Sequence, residues 1–397
     1  MPELAAKTTR TPAPATAAPP PTPPPAAPPA RVVSLDALRG FDMFWIVGGR
    51  ELILAAIAIF PTLNPEWVAQ AKHQFEHTKW DGFTAWDLIM PLFLFVVGAA
   101  MPFSFARRLE LGHSKRQLYF KVIRRTLILF VLGMAVQGHL LDFNLPTLHV
   151  FANTLQAIAV GYLIASILML TVPVWGQVAA CFALMVGYWL LLMYVPVPGR
   201  GAGVIEEHAN IALAVDQWVL GRFLDGTNPP YTWVLSGMTF TATVLLGVFS
   251  GYILGGGFSK FMKFVWLILL GAACLAGGWA WAQYLHFPII KHIWTSSMVL
   301  WSAGWCYLLL AAFYLVIDVI GFRRWAFPLI VLGMNAITIY VAYDSKIIPF
   351  KEISENLVGG LAQHLGHAGP FVIALTTFLL VWLPLYHMYR HKIFIRI

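Results

Sequence analysis

Residues 76–101 place a histidine and carboxylates directly against a long apolar run. The segment reads EHTKWDGFTAWDLIMPLFLFVVGAAM, with His77, Asp81 and Asp87 close together. A carboxylate beside a histidine fixes the tautomer of the ring and raises its basicity. Such a pair suits general-base catalysis, or nucleophilic catalysis through an acylated imidazole. We expect Asp81 to orient His77, and Asp87 to lie on the same side if the following helix starts early.

Composition indicates what kind of fold must position these residues. The chain has 397 residues, of which 59% are hydrophobic and 11% charged, whereas roughly a quarter are charged in a soluble domain. Apolar runs of the ~20 residues that a bilayer crossing needs follow one another after residue 35. We therefore predict an all-α integral membrane protein with about ten transmembrane helices in one bundle. The predicted spans are 37–59, 84–104, 122–139, 152–171, 174–195, 233–254, 263–285, 296–318, 327–344 and 369–389.

The rest of the chain predicts domain organisation and orientation. Residues 1–30 are rich in Pro and Ala and predict a disordered tail, followed by one transmembrane domain over 31–397. With both termini in the cytoplasm, 18 of the 26 Lys and Arg residues fall on the cytoplasmic side, as the positive-inside rule requires. Nine of the twelve histidines then fall in the outer connections or at the adjoining span ends. This distribution favours chemistry at the outer face.

The first predicted span carries charged residues, which are costly in a membrane unless they are paired or face a cavity. Asp36, Arg39 and Asp42 are three residues apart and share one helical face. They predict either a structural ion-pair ladder or a site at which Arg39 binds an anionic ligand from the cytoplasm.

A glycine pair in the same span predicts a break in the helix. Gly48 and Gly49 precede Arg50 and Glu51, and unwound backbone at membrane depth is tolerated where it lines a cavity. We therefore expect residues 51–60 to form a separate helical piece. Arg50 and Glu51 would then line a cavity near the outer face and bind substrate.

Several classes of function lack support in the sequence. The three cysteines are isolated within apolar segments, without the spacing of a metal site or a disulfide framework. The sequence has no P-loop, GxSxG, HExxH or dinucleotide-binding motif. We expect no metal and no nucleic-acid partner. Polar groups scattered over ten spans would also suit a transporter of a small polar solute, which stays the alternative to an enzyme.

Four segments resemble a known family. In order along the chain, the segments are SLDALRGFDMFWIVGG, HTKWDGFTAWDLIMPLFLFVVG, KHIWTSSMVLWSAGW and RRWAFPLIVLGMNAITIY. They resemble bacterial relatives of the heparan-α-glucosaminide N-acetyltransferase family. The resemblance extends over nearly everything from Ser34 onward. The sequence departs from the family at IVGGRELI, where the family has an asparagine, and at Ala157, where the family commonly has arginine.

The resemblance implies a multi-pass acyltransferase. Such an enzyme takes an acetyl group from cytosolic acetyl-CoA and delivers it to an amino sugar on the far side of the membrane. The essential histidine of the family corresponds to His77, and the conserved aspartate of its second span corresponds to Asp87. Direct transfer with His77 as base and transfer through acetyl-His77 both stay open.

Acyl transfer also needs hydrogen-bond donors for the developing oxyanion or for the acceptor hydroxyls. Lys291, Trp294, Thr295 and Asn335 are the candidates. The phosphates of CoA need positive charge on the cytoplasmic side, and the segment ARRLELGHSKRQLYFKVIRR supplies it. Arg124 and Arg125 are the best choices there.

The remaining expectations concern location and partners. We expect a protein of the bacterial inner (cell) membrane that contacts lipid. The sequence does not identify the amino-sugar acceptor, although carboxylates in the outer connections would suit an ammonium group. Small residues on the last spans are compatible with a homodimer.

Overall fold

The structure is a computed structural model that describes residues 32–226, 229–345 and 347–395. The tail predicted over 1–30 lies outside these residues. The described part is nearly all α-helical, as predicted, with one short antiparallel pair of strands. The helices are α1 Val33–Phe44, α2 Arg50–Ala58, α3 Pro65–Gln74, α4 Ile89–Glu110, α5 Lys115–Val136, α6 Thr154–Thr171, α7 Val174–Tyr194, α8 Ile211–Leu220, α9 Ser236–Gly255, α10 Lys260–Tyr284, α11 Ser296–Tyr314, α12 Phe327–Met334, α13 Ala336–Asp344, α14 Phe350–His364 and α15 Gly369–Arg390. The strands are β1 Ile205–Glu206 and β2 Ala209–Asn210.

The described residues contain fewer clear membrane spans than the ten predicted. Seven helices are long and apolar enough to cross a membrane, or up to eight if α12 and α13, bent by 67°, form one span. These eight correspond to eight predicted spans, so the count of ten is not confirmed. The other two predicted spans differ for physical reasons. Residues 37–59 are divided between α1 and α2, while α5 carries Lys121, Arg124 and Arg125 near its middle.

The break predicted in the first span is confirmed. Helix α1 ends at Phe44, and Gly48 then adopts φ +119°, a conformation that side chains with a Cβ rarely adopt. Helix α2 begins directly afterwards at Arg50. The glycine thus redirects the chain and starts a separate helix at the position of the charged pair.

Helices α4 and α9 form the centre of the bundle and are the most buried of the long apolar helices. A Cβ on Gly98 would lie 2.0 Å from the Val244 carbonyl oxygen, and one on Gly247 would lie 2.0 Å from the Phe95 carbonyl oxygen. Small residues at these crossings allow the two backbones to approach closely. This packing fixes α4, whose N-terminal end carries Asp87.

Three connections meet at the N-terminal end of α4. The connection before α4 contacts the one between α10 and α11, because the Gly82 N–H donates to the Ile289 carbonyl at 3.0 Å. It also contacts the connection between α7 and α9, because Trp80 Nε1 donates to the Ile205 carbonyl at 3.0 Å. These links bring distant parts of the sequence together around His77 and Asp87.

Candidate active site

His77 and Asp87 form the centre of the candidate site. His77 Nδ1 lies 2.7 Å from Asp87 Oδ1. A contact this short between a ring nitrogen and a carboxylate oxygen needs a proton between them, so Nδ1 carries the proton and donates. Within the described part of the chain, Nε2 makes no hydrogen bond, and the His77 side chain is 45% exposed. The structure therefore presents an imidazole whose Nδ1 is held by Asp87 and whose Nε2 is open to a ligand.

Local sequence places the Asp87 carboxylate. Asp87 lies in a single 3-10 turn, Ala85–Leu88, that leads into α4. Its Oδ2 accepts a hydrogen bond from the Thr84 N–H at 3.2 Å, which is the return half of a capping box. It also accepts from the Thr78 N–H at 3.3 Å and hydroxyl at 3.2 Å. Oδ2 is thus held by the backbone, which leaves Oδ1 for His77.

The Thr84 hydroxyl links Asp87 to the loop that carries His77. It lies 2.7 Å from the Glu76 carbonyl oxygen and 3.1 Å from Asp87 Oδ2. Since one hydroxyl has one proton to donate, the shorter contact with Glu76 is the stronger bond. Thr84 therefore holds the residue before His77 against the start of α4.

Lys291 completes the cluster from the connection between α10 and α11. Its Nζ lies 3.4 Å from Asp87 Oδ1 and 3.2 Å from His77 Nδ1. Because His77 Nδ1 already donates to Asp87, Lys291 donates to the carboxylate and not to the ring. Burial lowers the pKa of Lys291 to about 8, although Asp87 opposes the shift. The charges of Lys291 and Asp87 cancel when His77 is neutral.

Trp86 and Arg50 lie on one side of the cluster. The Trp86 ring centroid is 6.3 Å from that of His77, and the Arg50 guanidinium lies 5.2 Å from the Trp86 ring. Arg50 Nε is buried without a hydrogen-bond partner among the described residues. Glu51, the other charged residue at the start of α2, is exposed. Arg50 therefore approaches the site through Trp86, and the substrate-binding role expected of the pair stays a prediction.

The expectation that Asp81 orients His77 is corrected by the structure. Asp87 makes that contact, while Asp81 is exposed and its backbone pairs with Ile290 as an isolated bridge. Asp81 would lie one turn from His77 on the same face only in a helix that started early. The chain from His77 to Thr84 is a loop instead, and the loop folds back so that His77 reaches the first turn of the helix.

Three of the expected donors are engaged elsewhere. Trp294 is buried, donates from Nε1 to the Thr243 hydroxyl at 3.1 Å, and packs against Phe240. Asn335 lies between α12 and α13, where its side chain donates to the Ile393 carbonyl at 3.1 Å and accepts from the Ile395 N–H at 3.0 Å. Thr295 is engaged as well, because its hydroxyl donates to the Pro288 carbonyl at 2.8 Å. Of the four candidates, the structure brings only Lys291 to His77.

Arg39 forms part of the ladder expected in α1. Its Nη1 lies 3.7 Å from Asp36 Oδ1, which agrees with an ion pair on one face. Asp42, the third member, is buried, and its Oδ1 has no hydrogen-bond partner among the described residues. The pairing of Arg39 with Asp36 is compatible with a structural ion-pair ladder and also with a site at which Arg39 binds an anionic ligand.

The two arginines expected to bind CoA point to different environments. Arg124 is exposed on α5. The Arg125 guanidinium lies 4.5 Å from the ring of Tyr162 on α6, and its Nε is buried without a hydrogen-bond partner among the described residues. The structure does not bring either residue to the His77 cluster by a direct contact, and their role stays a prediction.

Sequence analysis missed the threonines that hold Asp87. Thr84 follows the capping-box pattern, a Ser or Thr three residues before an acidic residue at the start of an apolar run. That pattern, applied to TAWD, would have shown that Asp87 belongs to the start of the helix. Thr78 and Lys291 reach the carboxylate through tertiary folding, for which the sequence gives no local signal.

The fold and the cluster together define a multi-helix membrane protein with a His–Asp–Lys centre at the end of a buried helix. In the described ranges, no group of three or more His, Cys, Asp or Glu side chains is arranged to hold a metal ion. The His77 imidazole, paired with Asp87, offers acid–base and nucleophilic chemistry at the centre.

Comparison with known proteins identifies the relationship. Residues 31–201 match a family described as a domain of unknown function, DUF5009. Heparan-alpha-glucosaminide N-acetyltransferase of Homo sapiens is 25% identical over 380 residues, and that of Mus musculus is 23% identical over 383 residues. Each match covers 81% of this chain and 56% of the relative, so the chain spans a little over half the length of these proteins. The chain is a distant relative of the heparan-alpha-glucosaminide N-acetyltransferases.

Proposed function

We propose that the chain is a membrane acyltransferase that moves an acetyl group from acetyl-CoA to the amine of an amino sugar. The observation that carries the proposal is the contact between Asp87 and His77 Nδ1, which leaves Nε2 open in a half-exposed ring. The names of the two relatives support the reaction class and the amino-sugar acceptor.

In the direct route, His77 acts as the general base. The acceptor amine attacks the thioester carbonyl carbon and gives its proton to His77 Nε2, which becomes an imidazolium. The C–N bond forms, the C–S bond breaks, and the CoA thiolate takes the proton from Nε2. Asp87 stabilises the transient charge because its Oδ1 already faces Nδ1–H.

In the two-step route, His77 Nε2 itself attacks the thioester. The C–N bond to Nε2 forms and the C–S bond breaks, so CoA leaves as the thiolate and the ring becomes an acetylimidazolium that keeps its proton at Nδ1. The amine then attacks the acetyl carbon, the bond from that carbon to Nε2 breaks, and Nε2 takes the amine proton, which passes on to the thiolate or to solvent. The same Asp87 contact stabilises the acylated ring, which carries positive charge until the amine attacks. The arrangement supports both routes.

Lys291 is a positioning residue in either route. Its side chain is 4% exposed and balances the charge of Asp87, which is 1% exposed. A buried carboxylate without such a partner would be costly. With Lys291 charged, Asp87 stays ionised and can accept the hydrogen bond from His77 Nδ1.

The two substrates would approach from opposite sides of a bacterial cell membrane. We assign the cytoplasmic side to acetyl-CoA, with Arg39, Arg124 and Arg125 as candidates for its phosphates, and the outer side to the acceptor. The asymmetry of Lys and Arg along the sequence supports this orientation, with both described ends of the bundle in the cytoplasm. Membrane lipid would surround the helix bundle.

Radiolabelled acetyl-CoA tests the proposal on the purified protein in detergent. With D-glucosamine as acceptor, we expect a labelled N-acetylated product, and acetyl-CoA alone should raise the melting temperature. A transporter would give no product and would instead carry solute into proteoliposomes. Failure to bind acetyl-CoA and to acetylate any amine would reject the acyltransferase.

A further inference from the structure

A cavity of about 240 Å³ lies beside the His77 cluster. Its walls come from the three connections that meet at the start of α4, and include Trp80, Glu207, His208, Tyr231 and His292. Small-molecule sites usually measure roughly 300–1,000 Å³. This cavity is slightly smaller, which suits one sugar ring and not a longer oligosaccharide.

One wall of the cavity is a stack of three rings. His292 lies between Trp80 and Tyr231, with ring centroids at 5.6 Å and 5.4 Å. Its Nδ1 is 2.7 Å from the Pro230 carbonyl oxygen and its Nε2 is 3.2 Å from that of Thr78. The stack therefore joins the loop that carries His77 to the chain before α9, and gives the cavity a rigid apolar surface.

The same contacts connect the cavity to the cluster. The Thr78 carbonyl oxygen lies 3.2 Å from His292 Nε2, and Thr78 also binds Asp87 through its N–H and hydroxyl. Lys291 Nζ lies 5.8 Å from the Tyr231 ring centroid. A ligand against the stack would therefore lie next to the residues that surround His77.

The cavity lining also includes polar groups. Asn210 is engaged, because its side chain accepts from the Leu213 N–H at 2.8 Å and donates to the Glu206 carbonyl at 3.0 Å. The side chains of Glu207 and His208 are exposed and make no hydrogen bond to any described residue. Glu207 is the carboxylate that lines the cavity, and a carboxylate accepts strong hydrogen bonds from hydroxyl groups.

We propose that this cavity is the subsite for the sugar ring of the acceptor. The ring lies against the stack of Trp80, His292 and Tyr231, the Glu207 carboxylate accepts hydrogen bonds from the ring hydroxyls, and the amine points towards His77. The assignment rests on the proposed acyltransferase function. In this subsite, selection of an acceptor with a single hydroxyl-bearing ring depends on Glu207.

The chain contains a matched control for Glu207. Glu206 is the preceding residue, but its carboxylate pairs with Arg200 at 2.9 Å and does not line the cavity. We would measure binding of radiolabelled D-glucosamine by equilibrium dialysis without any acyl donor. Glu207→Gln should weaken binding at least tenfold, about 1.4 kcal/mol, whereas Glu206→Gln should stay within twofold of wild type.

The outcomes separate this inference from the proposed function. Equal binding by wild type and Glu207→Gln, equal losses in both variants, or no binding by wild type would each overturn the subsite. If binding depends on Glu207 but no amine is ever acetylated, the subsite stands and the acyltransferase function fails. If amines are acetylated while glucosamine binding is indifferent to Glu207, the function stands and the subsite fails.

Discussion

Asp87 contacts His77 across a loop, with Oδ1 2.7 Å from Nδ1, from a position where the carboxylate is 1% exposed. The carboxylate is fixed by the backbone at the start of α4, whereas the histidine is carried by the preceding loop. The orientation of His77 thus depends on a carboxylate held at the start of the buried helix α4.

Substitution of Asp87 should lower activity and stability, whereas substitution of Asp81 should not. Asp87→Asn removes the charge that fixes Nδ1–H and leaves Lys291 unpaired, so kcat should fall at least roughly 100-fold. Breaking a buried pair should also cost about 3–5 kcal/mol of stability. Asp81→Asn is the matched control, and both values should stay near wild type. Steady-state kinetics and thermal unfolding test this, and equal losses of kcat in the two variants would contradict it.

The activity should decline in alkali through Lys291. Its pKa is lowered to about 8, so it loses its proton well below the usual range of a lysine. Above that pH the buried Asp87 carboxylate loses its cationic partner, which weakens the geometry that orients His77. We expect kcat/KM to fall as pH rises through about 8. In the Lys291→Met variant, the alkaline decline of kcat/KM with pH should be absent. An unchanged decline in the variant would show that another group titrates.

The Thr84 hydroxyl should contribute to both stability and activity. Thr84→Val keeps the shape but removes the bond to the Glu76 carbonyl, and loss of such a capping residue typically costs about 1 kcal/mol. His77 should then be less well oriented, with a several-fold lower kcat. Thr84→Ser retains the hydroxyl and should restore both. A valine variant that matches the serine variant in melting temperature and in kcat would argue against the role.

The crossing of α4 and α9 should not tolerate a methyl group. Gly247→Ala would place a Cβ 2.0 Å from the Phe95 carbonyl oxygen, so the helices must separate. We expect a large fall in melting temperature and loss of activity. Gly359→Ala is the control on α14, where a Cβ would meet nothing within 4 Å, and alanine should be neutral or stabilising by up to about 1 kcal/mol. Similar melting temperatures for both variants would contradict the close approach.

Parts of this fold could be predicted because they depend on local physical chemistry. Apolar runs indicate the long helices, and the glycine pair indicates the break before Arg50, whose position the structure confirms. The charged helix α5 and the divided first segment explain why the count of ten spans exceeds the helices apolar enough to cross. The pattern of apolar residues does not determine which charged helices enter a bilayer.

The candidate site was harder to predict from the sequence than the helices. His77 and Asp87 could be chosen from their types and neighbours, but the partner of His77 was assigned to Asp81 because a regular helix was assumed. The contact depends on a loop that folds back, and Lys291 approaches from more than 200 positions away. Trp294 and Asn335 were expected at the site as hydrogen-bond donors for acyl transfer, yet their donor groups make structural hydrogen bonds instead.

The most direct test of the proposed function is acetyl transfer by purified His77→Ala protein, with acetyl-CoA binding measured on the same sample. Because His77 is half exposed and Asp87 keeps Lys291 as a partner, the variant should fold and bind acetyl-CoA like wild type. We predict that its transfer to D-glucosamine is abolished. Transfer within about threefold of wild type, a difference under about 1 kcal/mol, would show that His77 is neither the base nor the acyl carrier.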